Sequence, residues 1–140
     1  MQLYPTVQNR EPTGSQCHEV VTADRIRLRA ITIIPKNSAK GTVVVLNGRT
    51  EFVERYFETF NDLTKRGFAV ASFDWRGQGG SQRLLKNPMR GYVNSFADYD
   101  KDLSAIMEWP CAAVRCRWGY ARRTGCSAPS ESCAVRPGCT

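Results

Sequence analysis

The sequence predicts an α/β fold built on a short parallel sheet, and three observations carry that prediction. Two compact apolar runs, Thr42-Val-Val-Val-Leu46 and Ala69-Val-Ala-Ser-Phe73, each stop at a turn signal: Asn47-Gly48 after the first, Asp74-Trp-Arg-Gly-Gln-Gly-Gly-Ser81 after the second. The segment between them is amphipathic with a helical period, so the three together form a βαβ unit. Ahead of that unit, residues 25–34 alternate with a period of two, as a strand does.

Taken in order, residues 1–15 hold Pro5, Pro12, Gly14 and several polar side chains, an extended lead-in. Glu19-Val20-Val21 is a first short strand. Ala23-Asp24 is the turn into a second, in which Ile26, Leu28, Ala30, Thr32 and Ile34 alternate with Arg25, Arg27, Arg29, Ile31 and Ile33. An antiparallel hairpin therefore comes first. After the Pro35–Gly41 loop, three consecutive β-branched valines disfavour a helix and suit a strand buried on both faces. Asn47-Gly48 turns the chain sharply at that strand's carboxyl end, where open α/β sheets place their ligands. Tyr56, Phe57, Phe60, Leu63 and Thr64 recur at three- and four-residue steps, predicting a helix from Val53 to Arg66 that Gly67 caps. The next strand runs from Phe68 to Phe73. Ser95 with Asp98 resembles a capping box, and Phe96, Tyr99, Leu103, Ile106 and Met107 mark one face of a helix from Phe96 to Glu108. Asp98, Asp100 and Asp102 read as the solvated face of that helix.

The composition divides near Trp109-Pro110. Residues 1–109 hold 15 Lys and Arg against 12 Asp and Glu, whereas residues 110–140 hold five Arg and one Glu. The second part contains no Leu, Ile, Phe, Met, Lys, Asp, Asn, Gln or His, and no helical or strand period survives in it. It lacks the apolar surface to offset its ordering entropy. The expected organisation is one folded unit, 1–109, followed by an irregular Cys/Arg-rich tail, 110–140. No apolar run approaches the ~18 residues of a membrane span, and the first residues lack the pattern of a signal peptide, so a cytoplasmic chain is expected.

Several motifs in order are similar to the α/β-hydrolase superfamily, in its lysophospholipase and monoacylglycerol-lipase-like branch. They are Val43-Val-Val-Leu-Asn-Gly-Arg-Thr-Glu-Phe52 with Arg55-Tyr56, then Phe73-Asp-Trp-Arg-Gly-Gln-Gly-Gly-Ser81, then Gly91-Tyr-Val-Asn-Ser-Phe-Ala-Asp-Tyr99. The resemblance covers residues 16–109 and implies a partial α/β-hydrolase fold: the hairpin, the βαβ unit and the helix after it. It also implies a carboxylic ester hydrolase of lipid esters. The backbone N–H of Arg49, in the turn made by Asn47 and Gly48, would form half of an oxyanion hole. Asp74, Arg76, Gly77, Gly79 and Ser81 match the family's Asp-x-Arg-Gly-x-Gly-x-Ser signature and are read as structural residues of the loop. An oxyanion donor must be held rigidly where charge develops, and each is worth roughly 3 kcal/mol of barrier; the plainer reading of Gly48 is that it permits a tight turn. The loop departs from a phosphate-binding Gly-x-Gly-x-x-Gly at its third glycine, where Gln82 stands, so nucleotide binding has little support.

The family's nucleophile is the serine of a Gly-x-Ser-x-Gly elbow, followed by an acid and a histidine. The nearest approach is Gly125-Cys-Ser127-Ala-Pro129, with proline at the second glycine and no apolar strand before it. The only histidine, His18, lies in the first strand and is given no catalytic role. No catalytic triad is assigned, and the chain is expected to be inactive by itself. The abrupt change after Glu108, into residues with GC-rich codons, suggests a frameshifted hydrolase gene. No cofactor or metal is expected, because the cysteine gaps of four, nine, six and five residues contain no Cys-x-x-Cys. The alternative function is a small non-catalytic interaction protein, or a non-specific binder of acidic partners through Arg115, Arg117, Arg122, Arg123 and Arg136. Specific nucleic-acid recognition is not expected, since no recognition fold accompanies those arginines. Self-association is expected through an exposed edge of the Thr42–Leu46 strand, which would carry unpaired backbone groups.

Overall fold

A computed structural model describes residues 1–7 and 9–113, with side chains to Trp109. Four strands form one mixed sheet: β1 (Ser15–Val21), β2 (Arg27–Ile33), β3 (Thr42–Leu46) and β4 (Ala69–Phe73), in the order β1-β2-β4-β3. β1 and β2 are the antiparallel hairpin, Val20 opposite Leu28 and Cys17 opposite Ile31. The hairpin turn closes through Thr22 N–H to Ile26 O at 2.9 Å and Arg25 N–H to Thr22 O at 2.9 Å, with Arg25 at φ 64°. β3 and β4 pair in parallel, Val43 opposite Val70 and Leu46 opposite Phe73, and β4 joins the hairpin antiparallel to β2.

The connection between β3 and β4 is a short 3₁₀ turn, Val53–Tyr56, leading into α1 (Phe57–Lys65). The expected helix from Val53 thus begins in the tighter form. It ends as expected: Gly67 N–H bonds to Thr64 O at 2.9 Å, Phe68 N–H bonds to Leu63 O at 3.1 Å, and Gly67 sits at φ +90°. This double bond is the Schellman ending, which satisfies the last carbonyls of the helix. The second helix, α2 (Asp98–Ala113), starts two residues later than expected and continues past Pro110. A proline inside a helix removes an N–H and crowds the carbonyl four residues back, yet α2 runs three residues beyond it. The first four residues assigned to the irregular tail are therefore helical. The remainder, 114–140, lies outside the described residues, as do Ser127 and the tail arginines.

Two apolar clusters sit on opposite faces of the sheet. Leu3, Ile31, Ile33 and Val70 meet Val53, Phe57 and Phe60 on one side. Val20, Leu28, Ala30 and Phe73 meet Ile106 on the other, with Trp75 and Trp109 packed against them. The period-two alternation of β2 thus feeds both layers, and it is buried on both faces from Leu28 onward. Burial differs from expectation at two places. The strand buried on both faces is β4, all five of whose residues are buried, while β3 is half-buried and Leu46 is 48% exposed. The reason is position: β4 lies between β2 and β3, and β3 ends the described sheet. Phe96, expected on the packed face of α2, precedes the helix and is exposed.

Candidate functional site

The carboxyl ends of β3 and β4 lie side by side, and the turns that leave them brace one another. Asn47 is buried and holds three points of the structure. Its Nδ2 donates to Phe73 O at 3.0 Å, its Oδ1 accepts from Ser72 Oγ at 3.3 Å, and its carbonyl accepts from Trp75 Nε1 at 2.7 Å. Gly48 N–H donates to Glu51 Oε2 at 2.9 Å, and the same carboxylate oxygen accepts from the Tyr56 hydroxyl. These two donors hold the Glu51 carboxyl below its ordinary pKa, the Tyr56 hydroxyl having the larger effect. Thr50, at φ 66°, gives its N–H to Gln78 Oε1. Both amides flanking Arg49 are therefore taken by side chains, while Arg49 itself is exposed and its N–H meets no acceptor among the described residues.

Behind this turn, the loop Asp74–Ser81 is built around buried charge. Asp74 is fully buried. Its Oδ1 accepts from Val53 N–H at 2.9 Å, and its Oδ2 accepts from Gly80 N–H and Arg29 Nε, each at 2.7 Å. Burial pushes the Asp74 carboxyl's pKa up, and the Arg29 guanidinium opposes it. Arg29 also forks onto Glu54, Nη1 to Oε1 at 2.6 Å and Nη2 to Oε2 at 2.7 Å. Ser81 Oγ donates to Asp74 O at 2.5 Å and accepts from Arg29 N–H at 2.8 Å. Two glycines here are required by space. A Cβ on Gly79, at φ +47°, would lie 2.2 Å from the Asp74 carboxylate, and one on Gly77, at φ +73°, would lie 2.7 Å from Tyr92 O.

Arg76 forms a second charged centre. Its Nε and Nη2 donate to Asp102 Oδ1 at 2.9 and 2.7 Å, and its Nη1 and Nη2 donate to Asp24 at 2.8 and 3.1 Å. Asp98 lies 3.8 Å from the same guanidinium. This overturns the reading of Asp98, Asp100 and Asp102 as one solvated face. Asp98 and Asp102 are buried and only Asp100 is exposed, because the i, i+4 pair straddles Arg76. Arg76 is the direct cause that holds the Asp24 carboxyl far below the ordinary aspartate value.

The structure thus brings Asn47, Gly48, Arg49 and Asp74 to one edge, with Gly77, Gly79 and Ser81 in the loop behind them. His18 is elsewhere: its Nε2 lies 2.8 Å from Thr32 Oγ1, and its ring meets Trp109 edge-on at 4.9 Å. Burial lowers its pKa. The sequence reading missed Arg29, Glu51, Glu54 and Gln78 as site-shaping residues. Only Arg29 left a usable signal, since it shares its strand face with Ile31 and Ile33. A cleft of about 440 Å³ opens beside the turn, lined by Thr50, Glu51, Phe52, Gln78, Pro88 and Met89. Among the described residues no group of His, Cys, Asp or Glu is placed to hold a metal ion, and no helix is long and apolar enough to cross a membrane.

Comparison with known proteins matches this arrangement. The sequence profile of the Hydrolase_4 family, described as serine aminopeptidase S33, matches residues 37–117. Lysophospholipase L2 of Escherichia coli (strain K12) is 47% identical over 66 residues, which is 47% of this chain and 19% of that protein. Probable lysophospholipase L2 of Haemophilus influenzae is 34% identical over 76 residues, 54% of this chain and 24% of that protein. The chain therefore spans about a fifth to a quarter of the length of these relatives. Among solved structures, the Pyrococcus furiosus esterase Pf2001 superposes with a TM-score of 0.53 at 27% identity, over 69% of this chain and 35% of that one. A hypothetical protein from Pseudomonas aeruginosa, PA2218, gives 0.63 at 20% identity over 84% and 38%, a likeness of fold alone. With more than half of its length matched by the profile and its hairpin, βαβ unit and following helix in place, the chain belongs to the Hydrolase_4 family and is a lysophospholipase-like part of an α/β-hydrolase fold.

Proposed function

We propose that this chain is the oxyanion-binding part of a carboxylic ester hydrolase that acts on lipid esters. One observation carries the reading: at the carboxyl end of β3, Glu51 and Gln78 occupy the amides on either side of Arg49 and leave its N–H open. That is the geometry in which a backbone donor meets developing negative charge without reorganising. Asn47 and Gly48 shape the turn. Asp74, Arg76, Gly77, Gly79 and Ser81 fix the loop behind it and take no part in bond breaking. The likeness to proteins named lysophospholipase L2 supports a lipid ester as the substrate class.

Within its 140 residues the chain has one histidine, and that residue is engaged with Thr32 and Trp109, away from the turn. The reading therefore assigns no triad and no turnover to this chain alone, and takes the Cys/Arg-rich residues as the product of a shifted reading frame. It also includes a cytoplasmic location, which fractionation checks, and pairing of two copies through the outer edge of β3.

The test grafts residues 37–108 in place of the matching segment of the Escherichia coli lysophospholipase L2. The chimera should hydrolyse lysophospholipid, and Arg49→Pro, which removes the N–H, should lower its kcat by about 10²–10³. An active chimera that is indifferent to Arg49→Pro refutes the donor role. The unaltered 140-residue chain should show no esterase activity above background. Turnover lost on Ser127→Ala would give that serine the nucleophile's role.

A further inference from the structure

The loop that joins the Asp74–Ser81 turn to α2 is unlike the rest of the surface. From Gln82 to Phe96 it carries Arg83, Lys86 and Arg90 and no acidic residue. Every residue from Leu85 to Tyr92 is exposed. The large apolar side chains of Met89 and Phe96 face solvent at 89% and 85% exposure, and those of Leu85 and Tyr92 are part exposed at 37% and 45%. Lys86 and Arg90 have no carboxylate partner among the described residues. Single exposed apolar side chains are ordinary, but a concentration of them on one segment marks an interaction surface.

The loop is built rather than loose. At one end Arg83 donates through Nη1 to Gly77 O and through Nη2 to Gly79 O, the latter at 3.0 Å. At the other, Tyr92 O packs against Gly77, and Ser95 N–H donates to Asp98 Oδ2 at 3.2 Å. Between them Asn87 organises a turn by accepting from Met89 N–H at its side chain, 2.9 Å, and from Arg90 N–H at its carbonyl, 3.3 Å. Leu85 and Met89 are thus presented from an anchored tip, with Tyr92 and Phe96 at its α2 end, where Phe96 meets Tyr99 edge-on at 5.5 Å. They alternate with unneutralised cations, and of the four only Met89 lines the cleft beside Thr50. That arrangement suits a planar interface that takes apolar groups at its acyl boundary and cations at its phosphates.

We propose that the Gln82–Phe96 loop docks this protein on an anionic lipid surface, Lys86 and Arg90 pairing with lipid phosphates while Leu85, Met89, Tyr92 and Phe96 enter the headgroup boundary. Charge complementarity selects the occupant, since the segment has three cations and no anion. Pro88, Met89 and Gly91 also line the cleft beside Thr50 and Glu51, so docking sets the mouth of that cleft against the lipid. The inference stands on the loop itself and survives failure of the ester reading.

Flotation of the full chain with vesicles tests it. Vesicles of phosphatidylcholine with about a third phosphatidylglycerol should bind the chain and pure phosphatidylcholine vesicles should not. Lys86→Gln with Arg90→Gln should weaken binding about 25-fold, near fivefold for each charge removed. Met89→Ser with Phe96→Ser should remove the binding that persists in about 0.5 M salt, where charge is screened. All four positions are exposed, and unchanged circular dichroism confirms that the variants fold. Replacing the five tail arginines by Gln separates the other basic segment. Binding retained by that variant supports the loop. Binding that depends on the tail alone, binding indifferent to both loop variants, or no binding to anionic vesicles overturns the proposal.

Discussion

A guanidinium enclosed in a protein interior is tolerated only when its charge and its donors are all met. Arg29 achieves this with partners 25 and 45 positions away, Glu54 and Asp74, plus the carbonyl of Gln2. Removing it leaves two carboxylates buried together without a cation. Arg29→Met should cost about 3–5 kcal/mol in urea unfolding at neutral pH. The Asp74 carboxyl, pushed up by burial, would lose the guanidinium that opposes that rise and bind its proton more tightly folded than unfolded, so the loss should shrink as pH falls. Asp24 behaves in the opposite sense. Its pKa is depressed by Arg76 from an ordinary 3.8, so its stabilisation is complete above that value and is lost as pH falls below it. Asp24→Asn should flatten the acid limb of the stability curve below pH 3.8, and an unchanged limb would show that the Arg76 pair contributes nothing there. None of these pairings was legible in the sequence. Arg29 reads as the polar phase of an alternating strand, and Asp98 and Asp102 as helix surface, because their partners are remote in the chain and local pattern carries no record of them.

At the level of elements, the reading was more secure, because periodicity and turn chemistry are local. The valine run, the Gly67 ending of α1 and the Ser95–Asp98 entry to α2 each announce an element from within a few residues. The relative burial of the two parallel strands was not announced, since Thr42–Leu46 and Ala69–Phe73 are both five-residue runs with four apolar residues and it is sheet order that separates them. Hydrogen exchange should report that order. Amides of Val70–Phe73 should be the slowest in the chain, while alternate amides of Val43–Leu46 exchange faster, at the side away from β4. If two copies pair along that side, sedimentation should show a concentration-dependent dimer and the fast amides should slow as it forms. A dilution series with constant mass and constant exchange excludes the pairing.

For the molecule as a whole, consistency between levels is the informative property. Natural sequences agree with their fold in propensity, pattern and capping together, and the described residues do so from the hairpin to α2. The prediction at this scale concerns the gene. Read in the other two frames from near the codon for Trp109, it should encode an apolar strand, then Gly-x-Ser-x-Gly, then a helical pattern. If neither frame does, the shifted-frame reading is wrong and the Cys/Arg-rich composition belongs to the protein proper. The Arg76 centre has a further consequence, which concerns the order of synthesis. Its four participants leave the ribosome in the sequence Asp24, Arg76, Asp98, Asp102. An emerging chain can form the hairpin early, yet until Asp102 is translated the guanidinium stays hydrated and lacks its closest counter-ion. The second face of the sheet therefore closes late, when α2 arrives, and until then the nascent chain presents Leu28, Ala30 and Phe73 to whatever holds it.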